Sequence, residues 1–324
     1  MKTVLHKVLL LKLFTALLLC SQYATSAMLT FSFDDAHIST YKNAFPILKK
    51  YNQNGVVGAV ADWTVPPQAS RININQLLKL QTAGWEIASH SQSHANFNEI
   101  PQTYKDGIIV DWTKVSGTTN TFMASYTYQH LPSVMTNGNY LKRTSSLAQV
   151  KNKANGYFHD SEKQRLYLNS GSKTHPGILK IQTGSVEHEL EISKKFFNQA
   201  GLVVKNFMVP YSRWNQSRRS LAQRYYHSAS ASYHDGYMND IPPKDPYWLA
   251  RRPVYDSSTL EEVISWIKDA IKEDKWLILM FHQIGEGNDC YTWPRDQLQK
   301  LAEWVSKNNI DVVTVEQGLN KASE

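Results

Sequence analysis

Residues 258–273, STLEEVISWIKDAIKE, followed two positions later by residues 276–281, WLILMF, decide how the chain is built. Leu260, Val263, Ile264, Ile267 and Ile271 recur at three-and-four spacing opposite Glu261, Lys268 and Lys272, so this helix carries one apolar face that must lie against a sheet. The run after it has no polar residue, the pattern of a strand buried on both sides. The same pair recurs along the chain. Strands are expected at Leu29–Phe33, Val56–Ala61, Trp85–Ser89, Val203–Met208, Ser228–Ser232, Arg252–Tyr255, Trp276–Phe281 and Asp311–Val315. Helices are expected between them at 39–52, 73–83, 187–200, 215–225, 258–273 and 295–308. Alternation of this kind gives parallel strands with right-handed crossovers, and seven or eight units predict a closed or nearly closed α/β barrel, a deformed (β/α)7-8 barrel.

Between about residues 100 and 185 the rhythm stops. Tyr, Thr, Ser, Asn and Gly become frequent and alternating patterns replace helical ones, so this stretch reads as a β-rich insertion in a domain spanning 28–324. GYFHDSEKQRLYLNSG within it predicts a hairpin turning near Asp160-Ser161-Glu162-Lys163. The insertion is either a solvent-facing elaboration or, through its aromatics, a surface that helps hold a sugar chain.

Residues 1–27 differ from the rest. Lys2, Lys7 and Lys12 accompany the run LLLKLFTALLLC, and Ala24-Thr25-Ser26-Ala27 offers small residues for cleavage, so a secretory signal peptide is expected rather than a membrane anchor or a lipid attached at Cys20. No stable transmembrane segment is expected after cleavage, since no other stretch approaches the ~20 apolar residues of a span. An exported chain, periplasmic or released at the cell surface, follows from this reading. Removing those three lysines takes the formal charge from +7 to +4, which suits an anionic envelope and falls short of a nucleic-acid binder. With Cys20 in the leader, Cys290 has no intramolecular partner and no cysteine zinc site is available.

The chemistry-bearing residues stand where strands end. Asp34 and Asp35 follow LTFSF, and extended backbone sends successive side chains to different sides, so the two carboxylates must differ in task. His90-Ser91-Gln92-Ser93-His94 follows WEIAS, and on a helical turn this spacing brings both imidazoles to one face, as two ligands of one metal require. Met208-Val209-Pro210-Tyr211 and LILMFH, ending at His282, close two further strands. Singly, each has an ordinary structural explanation: a cap, surface histidines, a packed residue. In a parallel barrel, however, all C-terminal strand ends open on one rim. Asp62-Trp63 and Trp293 are candidates for lining that rim and stacking on a sugar.

SFDD, HSQSH, MVPY and LILMFH, in that order, resemble the motifs of the polysaccharide deacetylase family, carbohydrate esterase family four, over roughly 29–99 and 186–319. The resemblance implies Asp35, His90 and His94 as ligands of a divalent metal, Zn²⁺ foremost with Co²⁺, Ni²⁺ or Mn²⁺ as alternatives. It implies Asp34 as catalytic base, His282 as general acid, the Tyr211 backbone N–H as oxyanion donor, and Pro210 beside it in the substrate loop. The family places Arg where this chain has Met208, and in lacking it the chain resembles the deacetylases of poly-N-acetylglucosamine. Arg213, Arg251 or Arg252 is then expected to pair with Asp34. The implied activity is removal of N-acetyl groups from a polysaccharide, poly-N-acetylglucosamine or another exopolysaccharide first, then peptidoglycan or chitin. O-deacetylation uses the same groups on an easier bond. A non-catalytic glycan-binding protein on the same fold competes with this reading, although a binder has no physical need for both a base and an acid. A metal-dependent isomerase or endonuclease fits less well, for want of carboxylates at the strand ends.

Overall fold

The computed structural model describes residues 27–100, 102, 111–126, 134–136, 139–171, 181–183, 185–232, 237–287 and 289–323. The leader predicted at 1–27, apart from Ala27, lies outside them. Seven strands form the barrel: β1 Met28–Phe33, β2 Gly55–Ala59, β3 Glu86–Ser89, β4 Asn206–Met208, β5 Ser228–Ser232, β6 Leu249–Pro253 and β7 Trp276–Phe281. Each pairs in parallel with the next, and β7 pairs in parallel with β1 from Met28↔Trp276 to Phe33↔Phe281, which closes the ring. The eighth expected strand is only Asp311–Val312, set beside the start of β1 outside the ring. The architecture is therefore a closed seven-stranded parallel barrel with helices packed around it.

The period of two sorts the side chains. In β1, Leu29, Phe31 and Phe33 face outward into the large core shared with the helices, while Met28, Thr30 and Ser32 alternate with them. Met28 meets Val56, Ala88, Met208, Leu249, Trp276 and Ile278 in a second cluster that fills the interior. Thr30 accepts the Trp276 indole N–H at 2.9 Å, and the Ser32 hydroxyl donates to the Leu279 carbonyl at 2.8 Å, so the polar interior positions are satisfied. Helices α1 Phe45–Lys50, α2 Ile74–Thr82, α3 Val186–Gln199, α4 Gln216–Ala222, α5 Leu260–Lys272 and α6 Arg295–Lys307 cover the outside. In α5, Val263, Ile267 and Ala270 are buried, and a capping box joins Thr259 with Glu262 at its start. Two expected strands shift: the segment 203–205 is not strand, and β6 begins at Leu249 rather than Arg252.

Between β3 and β4 the described residues build a five-stranded sheet around Thr121–Ser125, Gly156–Asp160 and Arg165–Asn169. The last two form the hairpin read from the sequence, with Tyr157 opposite Leu168. Phe122, Tyr157, Leu166 and Leu168 belong to a core separate from the barrel's. A helix at Leu147–Asn152, unread in the sequence, starts at Ser146, whose hydroxyl accepts from the Gln149 N–H.

Candidate active site

The interior positions of the strands, followed to or just past their C-terminal ends, become the site. Met28, Thr30 and Ser32 lead to Asp34; Ala88 to His90; Leu249 to Arg251; Ile278 and Met280 to His282. Asp34, Asp35, His37, His90, His94, Tyr211, Met280, His282 and Tyr291 line one cavity of about 520 Å³ at the C-terminal rim.

Asp34 and Asp35 are separated in task by a backbone reversal rather than by strand alternation. Asp34 stays in the barrel and is buried, whereas Asp35 and Ala36 adopt left-handed φ values of 69° and 46°. Such values are uncommon for residues other than glycine and cost on the order of 1–3 kcal/mol each when enforced. The turn brings Asp35 Oδ1 to 3.2 Å from His94 Nε2 and 3.5 Å from His90 Nε2. The expected helical turn for HSQSH is absent. Residues 90–94 form a loop with Ser91 at φ 72° and His94 at φ 60°, and the two imidazoles converge with ring centroids 4.9 Å apart.

Several groups brace that loop. His90 Nδ1 lies 2.7 Å from the Met208 carbonyl, which can only accept, so Nδ1 carries the proton and Nε2 turns its lone pair to the cavity. Asp62 accepts the Gln92 amide at 2.6 Å, and Glu189 of α3 accepts both the Ser93 N–H at 2.8 Å and its hydroxyl at 3.0 Å. Trp63 packs against His94, centroids 5.0 Å apart, with the Arg71 guanidinium 4.2 Å from its ring. Asp62 and Trp63 thus support the histidine loop from behind.

Of the three arginines expected to pair with Asp34, Arg251 does so. Its Nη1 lies 2.5 Å from Asp34 Oδ1, reaching across the interior from β6, and its side chain is 1% exposed. Met208 instead fills the space that Gly58 leaves: a Cβ there would come within 2.8 Å of the Met208 sulfur. Of the other two candidates, Arg252 stacks on Trp266 at 3.9 Å and Arg213 sits exposed at the cavity mouth. Burial opposes ionisation of Asp34, but Arg251 foremost, then His90 and His282, outweigh it and hold its carboxyl below the usual range. Asp35 is also held low, the neighbouring histidines His37, His94 and His90 overcoming its burial. Burial drops His90 to about 4 despite Asp34, and lowers His282 despite Asp34 and Asp35. His90 is therefore neutral at pH 7.

Pro210 is buried and opens a 3-10 turn in which Tyr211 has φ 52°. The Tyr211 N–H is one of the donors that a helix start leaves open. Its ring, 57% exposed, stands 4.5 Å from that of His94. Across the cavity, Tyr291 is 47% exposed with its ring 4.7 Å from that of His282. Trp293 does not line the rim: it is 1% exposed, packs on Phe281, and donates its indole N–H to the Ser258 carbonyl. A long loop exposes Tyr291 two residues earlier, and the sequence offered no signal to choose between them. His37 and Arg71 were missed as well. His37 could have been suspected from its place two residues after Asp35; nothing marked Arg71.

The donor set fits a divalent ion. Asp35 Oδ1 is buried without a hydrogen-bond partner, and ligand atoms of Asp35, His90 and His94 all fall within 4.8 Å of one another. A tetrahedral ion with bonds of ~2.1 Å separates neighbouring donors by roughly 3.4 Å, close to the 3.2 and 3.5 Å here. Two imidazoles and one carboxylate also suit zinc and its borderline neighbours.

No curated protein matches the chain. Among solved structures it is similar to the Xyl-CE4 domain of a multidomain xylanase from the hindgut metagenome of Trinervitermes trinervoides, at 13% identity and TM-score 0.47, covering 91% of each chain. It is also similar to a family 4 carbohydrate esterase from Streptomyces lividans, at 11% identity and TM-score 0.43, covering 90% of this chain and 95% of that one. The family described as Polysaccharide deacetylase matches residues 22–119. The matched stretch contains Asp34, Asp35, His90 and His94.

Proposed function

We propose that the protein is an exported, metal-dependent deacetylase that removes N-acetyl groups from the amino sugars of a polysaccharide, with an exopolysaccharide such as poly-N-acetylglucosamine as its first candidate substrate. The single observation that supports this most is the sharing of one cavity by a three-donor ion site, a buried ionised Asp34 and His282. Asp35, His90 and His94 would hold the ion, which when bound supplies the Lewis acidity that polarises an acyl oxygen and acidifies water. Asp34 is kept anionic by Arg251 and takes the proton of the attacking water. The Tyr211 N–H donates to the oxyanion, a contact whose loss costs about 3 kcal/mol in comparable sites. His282 gives the departing nitrogen its proton, and its lowered pKa makes its protonated form a stronger acid. Tyr211 and Tyr291 flank the entrance with exposed rings suited to stacking on sugar faces.

The test is acetate release from defined N-acetylated and O-acetylated oligosaccharides, with and without chelation. Release that chelation abolishes and Zn²⁺ restores is expected, on the N-acetylated substrates. Oligosaccharide binding with no acetate released under any divalent ion would replace this reading with a glycan-binding one.

A further inference from the structure

We infer that Arg71 is a positioning residue that spans the two loops of the ion site, fixing Asp35 through its backbone and His94 through Trp63. The inference rests on the proposed metal function and extends it to a residue outside SFDD, HSQSH, MVPY and LILMFH. A single atom carries most of the geometry: Arg71 Nη1 lies 3.0 Å from the Asp35 carbonyl oxygen and 3.0 Å from His37 Nε2. Nη1 has two hydrogens, and both are used. A guanidinium can only donate, so the proton of His37 resides on Nδ1, and its Nε2 accepts from Arg71 rather than donating to Asp35 Oδ2 3.5 Å away. The same Nη1 stands 4.0 Å from Asp35 Oδ2, beyond hydrogen-bonding distance, so the grip is on the main chain.

That grip falls where the backbone needs it. Asp35 and Ala36 hold their left-handed conformation between two other ties: the Ile72 N–H donates to the Ala36 carbonyl at 2.8 Å, and the Ile38 N–H to the Ser70 carbonyl at 2.9 Å. Residues 70–72 are thus a strap across 36–38, bridged at His37↔Arg71, from which the Arg71 side chain reaches the Asp35 carbonyl. On its other side the guanidinium covers Trp63 at 4.2 Å, whose ring abuts His94. One side chain therefore sets the spacing between Asp35 Oδ1 and His94 Nε2, the shortest edge of the donor triangle given by these distances.

Zn²⁺ titrated calorimetrically into the metal-free full chain, together with its thermal melting, tests this. Arg71→Ala is expected to weaken Zn²⁺ binding about 10- to 100-fold, the range typical of groups that orient metal ligands. Its metal-free melting temperature should stay near wild type. Arg71→Lys, which can still donate to both acceptors but loses the flat stack on Trp63, is expected to recover part of the affinity. Wild-type affinity in a folded Arg71→Ala overturns the inference alone, and so does Arg71→Lys binding no better than Arg71→Ala. If Arg71→Ala does not fold, Arg71→Lys and His37→Ala measured against wild type decide, and affinity unchanged in both overturns it. A wild-type chain that takes up no Zn²⁺ overturns the metal reading, and this inference with it.

Discussion

The two ends of the barrel hold cavities of nearly equal size, about 500 Å³ at the N-terminal end and 520 Å³ at the C-terminal rim, and only the rim leaves one of its carboxylate oxygens, Asp35 Oδ1, buried and unpartnered among the described residues. At the N-terminal end Asp240 is paired with Lys275 at 2.5 Å and Lys244 at 3.0 Å, and Asp245 with Arg219 at 2.5 Å. At the rim, Asp35 Oδ1 faces the Nε2 atoms of His90 and His94 and has no hydrogen-bond partner. Six rim residues, Asp35, Ala36, Ser91, His94, Tyr211 and Ser212, hold left-handed backbone, while elsewhere among the described residues four of the six non-glycine cases are Asn52, Asn155, Asp274 and Asn309, types that tolerate it, the others being Gln164 and Tyr237. Local rules are broken most densely where the side chains converge. A function written into a fold leaves this kind of asymmetry.

The largest effect should come from the base. Asp34→Asn keeps an acceptor for Arg251 and lies outside the three-donor set, so fold and Zn²⁺ affinity should survive while acetate release falls about 10²- to 10⁴-fold. Release within tenfold of wild type would mean that the rim's buried carboxylate is as structural as those at the other end. Next is its partner. Arg251→Met leaves Asp34 buried and unpaired, and the expected loss is on the order of 3–5 kcal/mol in unfolding free energy at pH 7. Asp34 is held low in the folded wild type, so the pair's stability is present above about pH 4 and lost as pH falls through the depressed value. The variant's deficit should therefore shrink toward acid pH. A deficit independent of pH would assign Arg251 a packing role only.

Much of this was legible because periodicity is a local signal. Each of the seven barrel strands and their helices follows from apolar spacing, and parity along β1 and β7 carries Asp34 and His282 into the same interior. What escaped depends on backbone reversal or on reach. HSQSH has helical spacing, yet two left-handed residues form its loop, and sequence does not show φ. Arg251 was one of three arginines until β6 began three residues earlier than expected and put it, rather than Arg252, on the inner face. Trp293 looked like a rim aromatic because it precedes a helix, but the pairing of Gln283–Ile284 with Thr292–Trp293 folds it inward. Arg71 acts through a carbonyl, and no residue pattern records that.

A smaller effect sharpens the contrast from beneath the rim. Glu189 is buried, and that burial, abetted by Asp62, raises its carboxyl to about 7 although Ser93 donates to it twice. A folded value above the unfolded 4.5 means the folded state favours the protonated form, so stability declines as pH rises from about 4.5 to 7. Glu189→Gln keeps an acceptor for the Ser93 N–H, and the Ser93 hydroxyl can reverse to accept. The variant should melt near wild type at pH 4.5 and above it at pH 8, by at most about 3 kcal/mol of unfolding free energy. A variant less stable than wild type at pH 8 would show that the ionised carboxylate, not the acceptor, holds the histidine loop.

The smallest effect is expected at the other end of the barrel, from Asp240→Asn. Its carboxylate is solvated and shared between two lysines, so the lost attraction is screened and both ammonium groups return to water. Neither the melting temperature nor the rate of acetate release should change measurably, at low or high salt. This end shares the barrel wall with the rim through β6 and β7, beside whose starts Ala250 and Lys275 border one cavity and whose C-terminal ends lead to the other. A tenfold change in rate from Asp240→Asn, with Zn²⁺ affinity unaltered, would mean that strain crosses the length of those strands, and the two ends would have to be treated as one coupled device.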